Sequence, residues 1–205
     1  MSEAQNALAV LDGCGGAGKP AEVVLRSITS AFAGPVVPDE RKLLALFRSA
    51  NASLAAAMQG DELARGGTTL DLLTFGETLL GFHIGDGRVY RVRGGEIKQL
   101  STDHTWVAES VARGEFADDD AQHHPRRNVI TRAMVGSEGD KPEILRSDIA
   151  SGDIFIACTD GLWGAVSART LATAVSRADL SAGLDELFAL SRASNDNVSI
   201  AIAFA

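Results

Sequence analysis

Four aspartates at the ends of apolar segments could together bind a hard divalent cation. Asp12, Asp86 and Asp160 each close an apolar run and precede a glycine, and Asp196 lies just before the C-terminal apolar segment. Carboxylate oxygens are the ligands that such cations prefer, and strand ends far apart in sequence can bring them together. Each Asp-Gly pair alone is also a common hairpin turn. Only their combination indicates a metal site.

A glycine-rich segment offers a second chemistry, the binding of nucleotide phosphates. Residues 13–20, GCGGAGKP, have the spacing of a phosphate-binding loop up to Lys19 and lie between a predicted strand and a predicted helix. The match ends at Pro20, where a hydroxyl should hold magnesium, and Asp12 would place a carboxylate near the phosphates. The strands that follow favour an antiparallel sheet, whereas that fold needs a parallel one. We therefore interpret the segment as a loop beside Asp12.

Composition predicts one globular domain that spans residues 1–205. The 205-residue chain is 45% hydrophobic, and its net charge of −8 disfavours nucleic acid as a partner but suits divalent cations. Cys14 and Cys158 have neither disulfide-framework nor zinc spacing, which predicts two reduced thiols. No apolar run approaches the roughly 18 residues of a membrane span, and the N-terminus lacks signal-peptide features. These features predict a cytoplasmic protein without a membrane partner.

The first half of the chain must position Asp12 and Asp86 through two helices and several strands. Residues 7–11 predict a buried strand, and residues 21–32 have helical spacing. Asp39 can cap a second helix, whose apolar positions fall on one face. Between residues 67 and 100, four β-rich segments separated by glycine-containing turns predict an antiparallel meander.

The second half must position Asp160 and Asp196. A helix is predicted from about 104 to 113, with Thr102 or Asp103 as its cap, and the polar stretch that follows predicts a surface flap. Further helices are predicted at 166–175 and 182–192, and further strands at 153–160 and 197–205. Helices and strands therefore interleave in one α+β unit.

Several segments, in order, resemble the landmarks of one enzyme family. LAVLDGCGGAG is similar to a strand with a DGxGG loop, GGTTL to a GTT strand start, and FHIGDGRVYR to an HxGDSRxY segment. The later matching segments are LSTDHT, ARGEFADDDAQHHPRRNVITRAMVG, GDIFIACTDGL and SNDNVSIAI. Over about residues 7–204 the chain thus resembles the metal-dependent protein phosphatases (PPM, or type 2C serine/threonine phosphatases) in their bacterial form.

This resemblance implies a fold and a set of metal ligands. The fold would be a sandwich of two antiparallel sheets flanked by helices, with two Mn²⁺ or Mg²⁺ ions at one end. Asp12, Asp160 and Asp196 match the carboxylates around the first ion, and Asp12 and the Gly13 carbonyl face the second. Asp86 matches a ligand of a third, weaker ion, shared with Asp160.

The resemblance also implies a reaction and its partners. A metal-bridging hydroxide would hydrolyse phosphoserine or phosphothreonine in proteins, with Asp12, Asp160 and Asp196 as the catalytic residues. The partners would be phosphorylated proteins, including a cognate serine/threonine kinase or its substrates. The flap, about residues 111–128, would shape access to the site. It contains His123, His124, Arg126 and Arg127, whose arginines either steer phosphate or are merely solvated.

The chain departs from the family pattern at its start. The family's preceding segment, with a phosphate-gripping arginine and an acidic ligand of the second ion, has no counterpart, which predicts a missing N-terminal strand and an exposed neighbouring edge. A catalytically impaired relative that binds a phosphoprotein or kinase as a regulator is therefore the alternative. Two further hypotheses are that Lys19 supplies positive charge at the site and that peroxide inactivates the protein through Cys14.

Overall fold

Two antiparallel sheets of four strands each form the centre of the fold. The computed structural model describes residues 7–15, 19–32, 39–59, 66–117, 124–192, 194 and 196–205. The strands are β1 Ala7–Cys14, β2 Gly67–Phe75, β3 Thr78–Ile84, β4 Arg88–Arg93, β5 Glu96–Gln99, β6 Glu143–Asp148, β7 Ile154–Cys158 and β8 Ile200–Phe204. The helices are α1 Lys19–Ala31, α2 Glu40–Met58, α3 Trp106–Ala112, α4 Asp160–Trp163, α5 Ala168–Val175 and α6 Leu180–Ser191.

Three apolar layers hold the sheets and helices together. The first sheet has the order β1-β2-β3-β6 and the second the order β5-β4-β7-β8. The inner faces of both sheets enclose Val10, Leu73, Leu79, Val89, Leu145, Phe155 and Ala157. Helices α1 and α2 cover the outer face of the first sheet, and α4, α5 and α6 cover that of the second. The predicted sandwich of two antiparallel sheets flanked by helices is confirmed, and it has no parallel sheet for nucleotide binding among the described strands.

The predicted meander is wrong in one respect, because its four strands divide between the two sheets. β2 pairs with β3 in one sheet and β4 pairs with β5 in the other. The bend at Gly85, Asp86 and Gly87 carries the chain across. β3 instead has β6 as its second neighbour, a strand that its sequence does not indicate because only Ile144 and Leu145 are apolar along Glu143–Asp148.

Helix starts follow the side chains that can cap them. The predicted cap Asp39 is confirmed, since its Oδ1 accepts a hydrogen bond from the Lys42 amide at 2.8 Å. For α3 the prediction is wrong: the cap is Thr105, whose hydroxyl accepts from the Ala108 amide at 3.2 Å. Asp103 is committed elsewhere, to an ion pair with Arg88.

Strand β1 lies at the edge of its sheet, with β2 as its neighbour. Whether a further strand is missing concerns residues that lie outside the described part of the chain, so that prediction stays open. None of the helices in the described segments combines the length and apolar character needed to cross a bilayer.

Candidate metal centre

Three of the predicted aspartates meet at one end of the sandwich. One carboxylate oxygen each from Asp12, Asp160 and Asp196 lies within 4.8 Å of the others. Asp12 belongs to β1 in the first sheet, Asp160 begins α4 directly after β7 in the second, and Asp196 lies in the loop before β8. The site therefore forms only when the two sheets pack together.

Asp12 is held by the start of β2. It lies opposite Thr69 in the β1–β2 ladder, and its amide donates to the Thr69 hydroxyl at 3.1 Å. The hydroxyl of Thr68 donates to the Asp12 carbonyl at 2.8 Å. Asp12 and Gly13 are therefore strand residues, not a hairpin turn, and Gly13 follows Asp12 in the same ladder opposite Thr68.

Asp160 and Asp196 approach each other because Gly161 has no side chain. A Cβ on Gly161 would lie 2.3 Å from the Asn197 carbonyl oxygen, so only glycine lets the loop come so close. The hydroxyl of Thr159 also accepts from the Ser199 amide at 3.0 Å. The loop that carries Asp196 is thereby fixed against the start of α4.

Asp86 lies in the bend between the sheets and outside the trio. It is buried, at 5% exposure, and its charge interacts with those of Asp160 and Asp12. A Cβ on Gly87 would meet the Asp71 carboxylate at 2.2 Å, and Gly85 has a positive φ of 119°. The bend thus needs both of its glycines.

The carboxylates at this end repel one another. Burial, followed by the charges of Asp160 and Asp196, raises the pKa of Asp12 to about 6. Burial and the Asp160 charge raise the pKa of Asp86 to about 7. Burial and Asp196 also raise the pKa of Asp160. An all-oxygen group that is costly to ionise without a cation fits a hard divalent metal.

Behind the Asp86 bend lies a second polar cluster, which is not among the predicted site residues. Asp71 and His83 face each other across β2 and β3, and His83 Nδ1 lies 2.7 Å from the Asp71 carboxylate. The His83 ring stacks on that of His104 at 4.7 Å. The available signal was Asp71 itself, a carboxylate in the middle of the apolar segment TTLDLL.

The predicted flap is described on both sides of residues 118–123, so His123 lies outside the described residues. The His124 ring packs on Trp106 and Phe116, with ring centres 5.0 and 5.2 Å apart. The Arg126 guanidinium lies 5.1 Å from the centre of the Trp106 ring, and Arg127 is exposed. Arg126 is therefore occupied by an aromatic neighbour.

The two hypotheses about Lys19 and Cys14 receive little support from the structure. Lys19 is exposed at the start of α1. Burial and the Asp86 charge raise the pKa of Cys14, and burial raises that of Cys158. Both thiols therefore form the nucleophilic thiolate less readily than a free cysteine does.

Comparisons with known proteins agree with this arrangement. The sequence model of the family described as Protein phosphatase 2C matches residues 1–199. The serine/threonine protein phosphatase PstP of Mycobacterium tuberculosis is 34% identical over 206 residues, which cover 96% of this chain and 40% of that protein. Protein phosphatase PhpP of Streptococcus pneumoniae is 35% identical over 109 residues, which cover 52% of this chain and 44% of that protein. The chain thus spans less than half the length of these curated relatives.

Solved structures give the same answer for the fold. A crystal structure of the Mycobacterium tuberculosis serine/threonine phosphatase PstP/Ppp matches with a TM-score of 0.90 and 31% identity, covering 97% of this chain and 88% of that one. The PstP catalytic domain in complex with 2 manganese ions matches with a TM-score of 0.86 and 29% identity, covering 97% and 87%. The chain therefore belongs to the protein phosphatase 2C family.

Proposed function

We propose that the chain hydrolyses phosphoserine and phosphothreonine in proteins with the help of Mn²⁺ or Mg²⁺. The convergence of Asp12, Asp160 and Asp196 carries this proposal, because clustered carboxylates oppose folding unless a cation binds them. The family and the names of the relatives support the same reaction, since PstP and PhpP are named as protein phosphatases.

The donor atoms suit a hard cation. Asp12, Asp160 and Asp196 would hold the first ion, and Asp12 with the Gly13 carbonyl would bind the second. Asp86 and Asp160 would hold a third, weaker ion. The two manganese ions in the structure of the PstP catalytic domain support a centre of this type. When bound, such ions lower the pKa of an attacking water and neutralise charge on the phosphoryl oxygens.

The protein's own residues would orient this chemistry. The hydroxyls of Thr68 and Thr69 fix the backbone of Asp12, and Gly161 admits the loop of Asp196. Asp196 is exposed while Asp12 is partly buried, so the site opens at the surface. An open site suits a phosphorylated side chain on another protein.

The wider setting is also part of the proposal. Residues 1–205 would form one domain, with a flap at 111–128 beside the site. The substrates would include a cognate serine/threonine kinase or its targets, in the cytoplasm. The related phosphatases support protein substrates.

The test is Mn²⁺-dependent hydrolysis of para-nitrophenyl phosphate and of a phosphothreonine peptide by the purified chain. We expect turnover that Asp160→Asn abolishes and that Asp185→Asn, a change on the exposed face of α6, leaves intact. No turnover by folded, metal-titrated protein would instead favour the catalytically impaired regulator.

A further inference from the structure

His104 forms two hydrogen bonds with one side of the bend that carries Asp86. The His104 amide donates to the Gly85 carbonyl at 2.8 Å, and the Gly85 amide donates to His104 Nδ1 at 3.1 Å. His104 is fully buried. Two reciprocal hydrogen bonds thus fix the residue directly before Asp86.

The hydrogen bond to His104 Nδ1 leaves the other ring nitrogen of this residue without a partner among the described residues. Because Nδ1 accepts a hydrogen bond, Nε2 must carry the ring proton, and this buried Nε2 has no hydrogen-bond partner in the described part of the chain. An unpaired buried donor is destabilising. Burial and the nearby His83 lower the pKa of His104 to about 3, which keeps the ring neutral. A neutral ring is what the acceptor role at Nδ1 requires.

Trp163 forms a hydrogen bond with the other side of the bend. Its indole Nε1 donates to the Asp86 carbonyl at 2.9 Å. The Arg88 guanidinium lies 3.6 Å from the centre of the Trp163 ring and forms a bidentate ion pair with Asp103, the residue before His104. Arg88 and Asp103 therefore connect the contacts that Trp163 and His104 make with the bend.

A metal ion could be considered at His83, His104 and Glu143, whose ligand-type atoms lie within 4.8 Å of one another. The hydrogen bonds argue against it. His83 uses Nδ1 on Asp71 and Nε2 on the Thr102 carbonyl, at 2.7 and 3.0 Å. A metal on His104 Nε2 would force a proton onto Nδ1, which faces the Gly85 amide. The cluster is better explained as hydrogen-bonded support for the bend.

We propose that His104 and Trp163 are positioning residues that hold the Asp86 carboxylate towards Asp12 and Asp160. This role rests on the proposed function, because Asp86 is expected to bind a metal ion with Asp160. Like charges push Asp86 away from the other two carboxylates, so the backbone must resist that force before a cation arrives. Neither positioning residue would touch the metal or the substrate.

Calorimetric titration of the metal-free protein with Mn²⁺ tests this role without relying on turnover. In His104→Phe the ring remains but the acceptor for the Gly85 amide is lost, and we expect the Asp86-dependent Mn²⁺ affinity to fall about 10–100-fold. His104→Asn can place an acceptor oxygen where Nδ1 was, and should restore most of that affinity. Trp163→Phe removes the donor to the Asp86 carbonyl while keeping an aromatic ring beside Arg88, and should weaken binding about 10-fold.

A double-mutant cycle separates positioning from general destabilisation. In an Asp86→Asn background, His104→Phe should cause no further loss of Mn²⁺ affinity, because its effect passes through Asp86. Asn51→Leu is the matched control: the buried Asn51 amide also makes two hydrogen bonds to a loop backbone, at Gly136 and Ser137, away from Asp86. It should lower stability and leave the isotherm unchanged.

The outcomes that overturn the proposal are distinct. If His104→Phe folds and its Mn²⁺ isotherm matches the wild type, the positioning role is wrong; if it does not fold, an unchanged isotherm in Trp163→Phe decides the same way. An equal loss with and without Asp86 would also contradict it. Absence of Mn²⁺ binding by the wild-type protein would overturn the proposed function itself.

Discussion

The two ends of strand β7 carry aspartates in opposite electrostatic surroundings. Asp153, just before the strand, is buried and forms a two-oxygen ion pair with Arg93 at 2.6 Å. The hydrogen bonds from Arg93 lower the pKa of Asp153 to about 2. Asp160, just after the strand, faces Asp12 and Asp196, and burial together with Asp196 raises its pKa.

This difference separates carboxylates that stabilise the fold through ion pairs from carboxylates that destabilise it but could bind a cation. At the Asp153 end two carboxylates have arginine partners, since Arg93 pairs with both Asp153 and Asp148, and Arg91 also pairs with Asp148. At the Asp160 end, charges of one sign are gathered, at a cost to stability that a cation or protonation can offset. The residue type is the same at both ends. The presence or absence of a positive partner makes the difference.

The sharpest test of the contrast compares Asp160→Asn with Asp153→Asn. The first removes a proposed metal ligand and should lower phosphatase activity at least about 100-fold. It also removes a repelled charge, so the unfolding free energy of metal-free protein should not fall. The second removes the negative charge that pairs with Arg93 and replaces one of the two acceptor oxygens by an NH2 group, which cannot accept from Arg93 or the Ala150 amide. It should cost about 1–3 kcal/mol of unfolding free energy. Kinetics and urea unfolding measure both.

The comparison fails if the two variants behave alike. Asp153→Asn should keep the wild-type kcat under conditions where it is fully folded. A stability loss in metal-free Asp160→Asn as large as that in Asp153→Asn would show that repulsion at the Asp160 end is unimportant.

Adding Mn²⁺ should stabilise the protein by binding at the Asp160 end of the sandwich. At about 100 times the dissociation constant, a single bound ion adds about 2.7 kcal/mol. For a domain of this size that corresponds to a rise of roughly 5–11 °C in melting temperature. Thermal unfolding with and without Mn²⁺ measures it. The rise should persist in Asp153→Asn and disappear in Asp160→Asn, and an equal rise in both variants would place the binding elsewhere.

The two ends should also respond oppositely to pH in metal-free protein. The pKa values of Asp12 and Asp86 in the folded state, about 6 and 7, lie above the usual 3.8, so their ionisation lowers stability as pH rises through that interval. The pKa of Asp153, about 2, lies below 3.8, so its contribution is lost only as pH falls through the lower interval.

Melting temperatures in chelator measure this effect. We expect a value at about pH 7.5 that is at least about 3 °C below the value at about pH 5. Asp86→Asn should flatten the slope, since it removes one of the two titrating carboxylates. Saturating Mn²⁺ should reverse it, because binding requires ionised ligands. A metal-free protein that gains stability across this interval would contradict the repulsion argument.

The sequence predicted the convergence at the Asp160 end well, but not the local structures that produce it. Apolar runs ending in aspartate located Asp12, Asp86 and Asp160, and the apolar segment that begins just after Asp196 located the fourth. Yet none of the three Asp-Gly pairs is a hairpin turn: one continues β1, one bends between sheets, and one begins α4. Close approach of backbones, as at Gly161, depends on tertiary packing that local pattern does not contain.

The Asp153 end and the support behind Asp86 were harder to predict. Arg93 and Asp153 are distant in sequence, and their ion pair depends on the alignment of β4 with β7. The mostly polar sequence of β6, EILRSD, resembles a loop, and only its pairing with β3 makes it a strand. His83 and Asp71 are joined by strand register, which a one-residue shift would change completely.

The smallest expected effect concerns Cys14, which lies at the Asp160 end of the sandwich. Burial and the Asp86 charge raise the pKa of Cys14. The negative charge of the neighbouring carboxylates therefore also disfavours the thiolate form of this residue. We therefore expect metal-free wild type and Cys14→Ser, pre-treated with peroxide and then assayed with Mn²⁺, to retain activity equally. Selective loss in the wild type, with oxygen added to Cys14 by mass spectrometry, would support the peroxide hypothesis. It would also show that the negative charge of the nearby carboxylates does not prevent oxidation of Cys14 by peroxide.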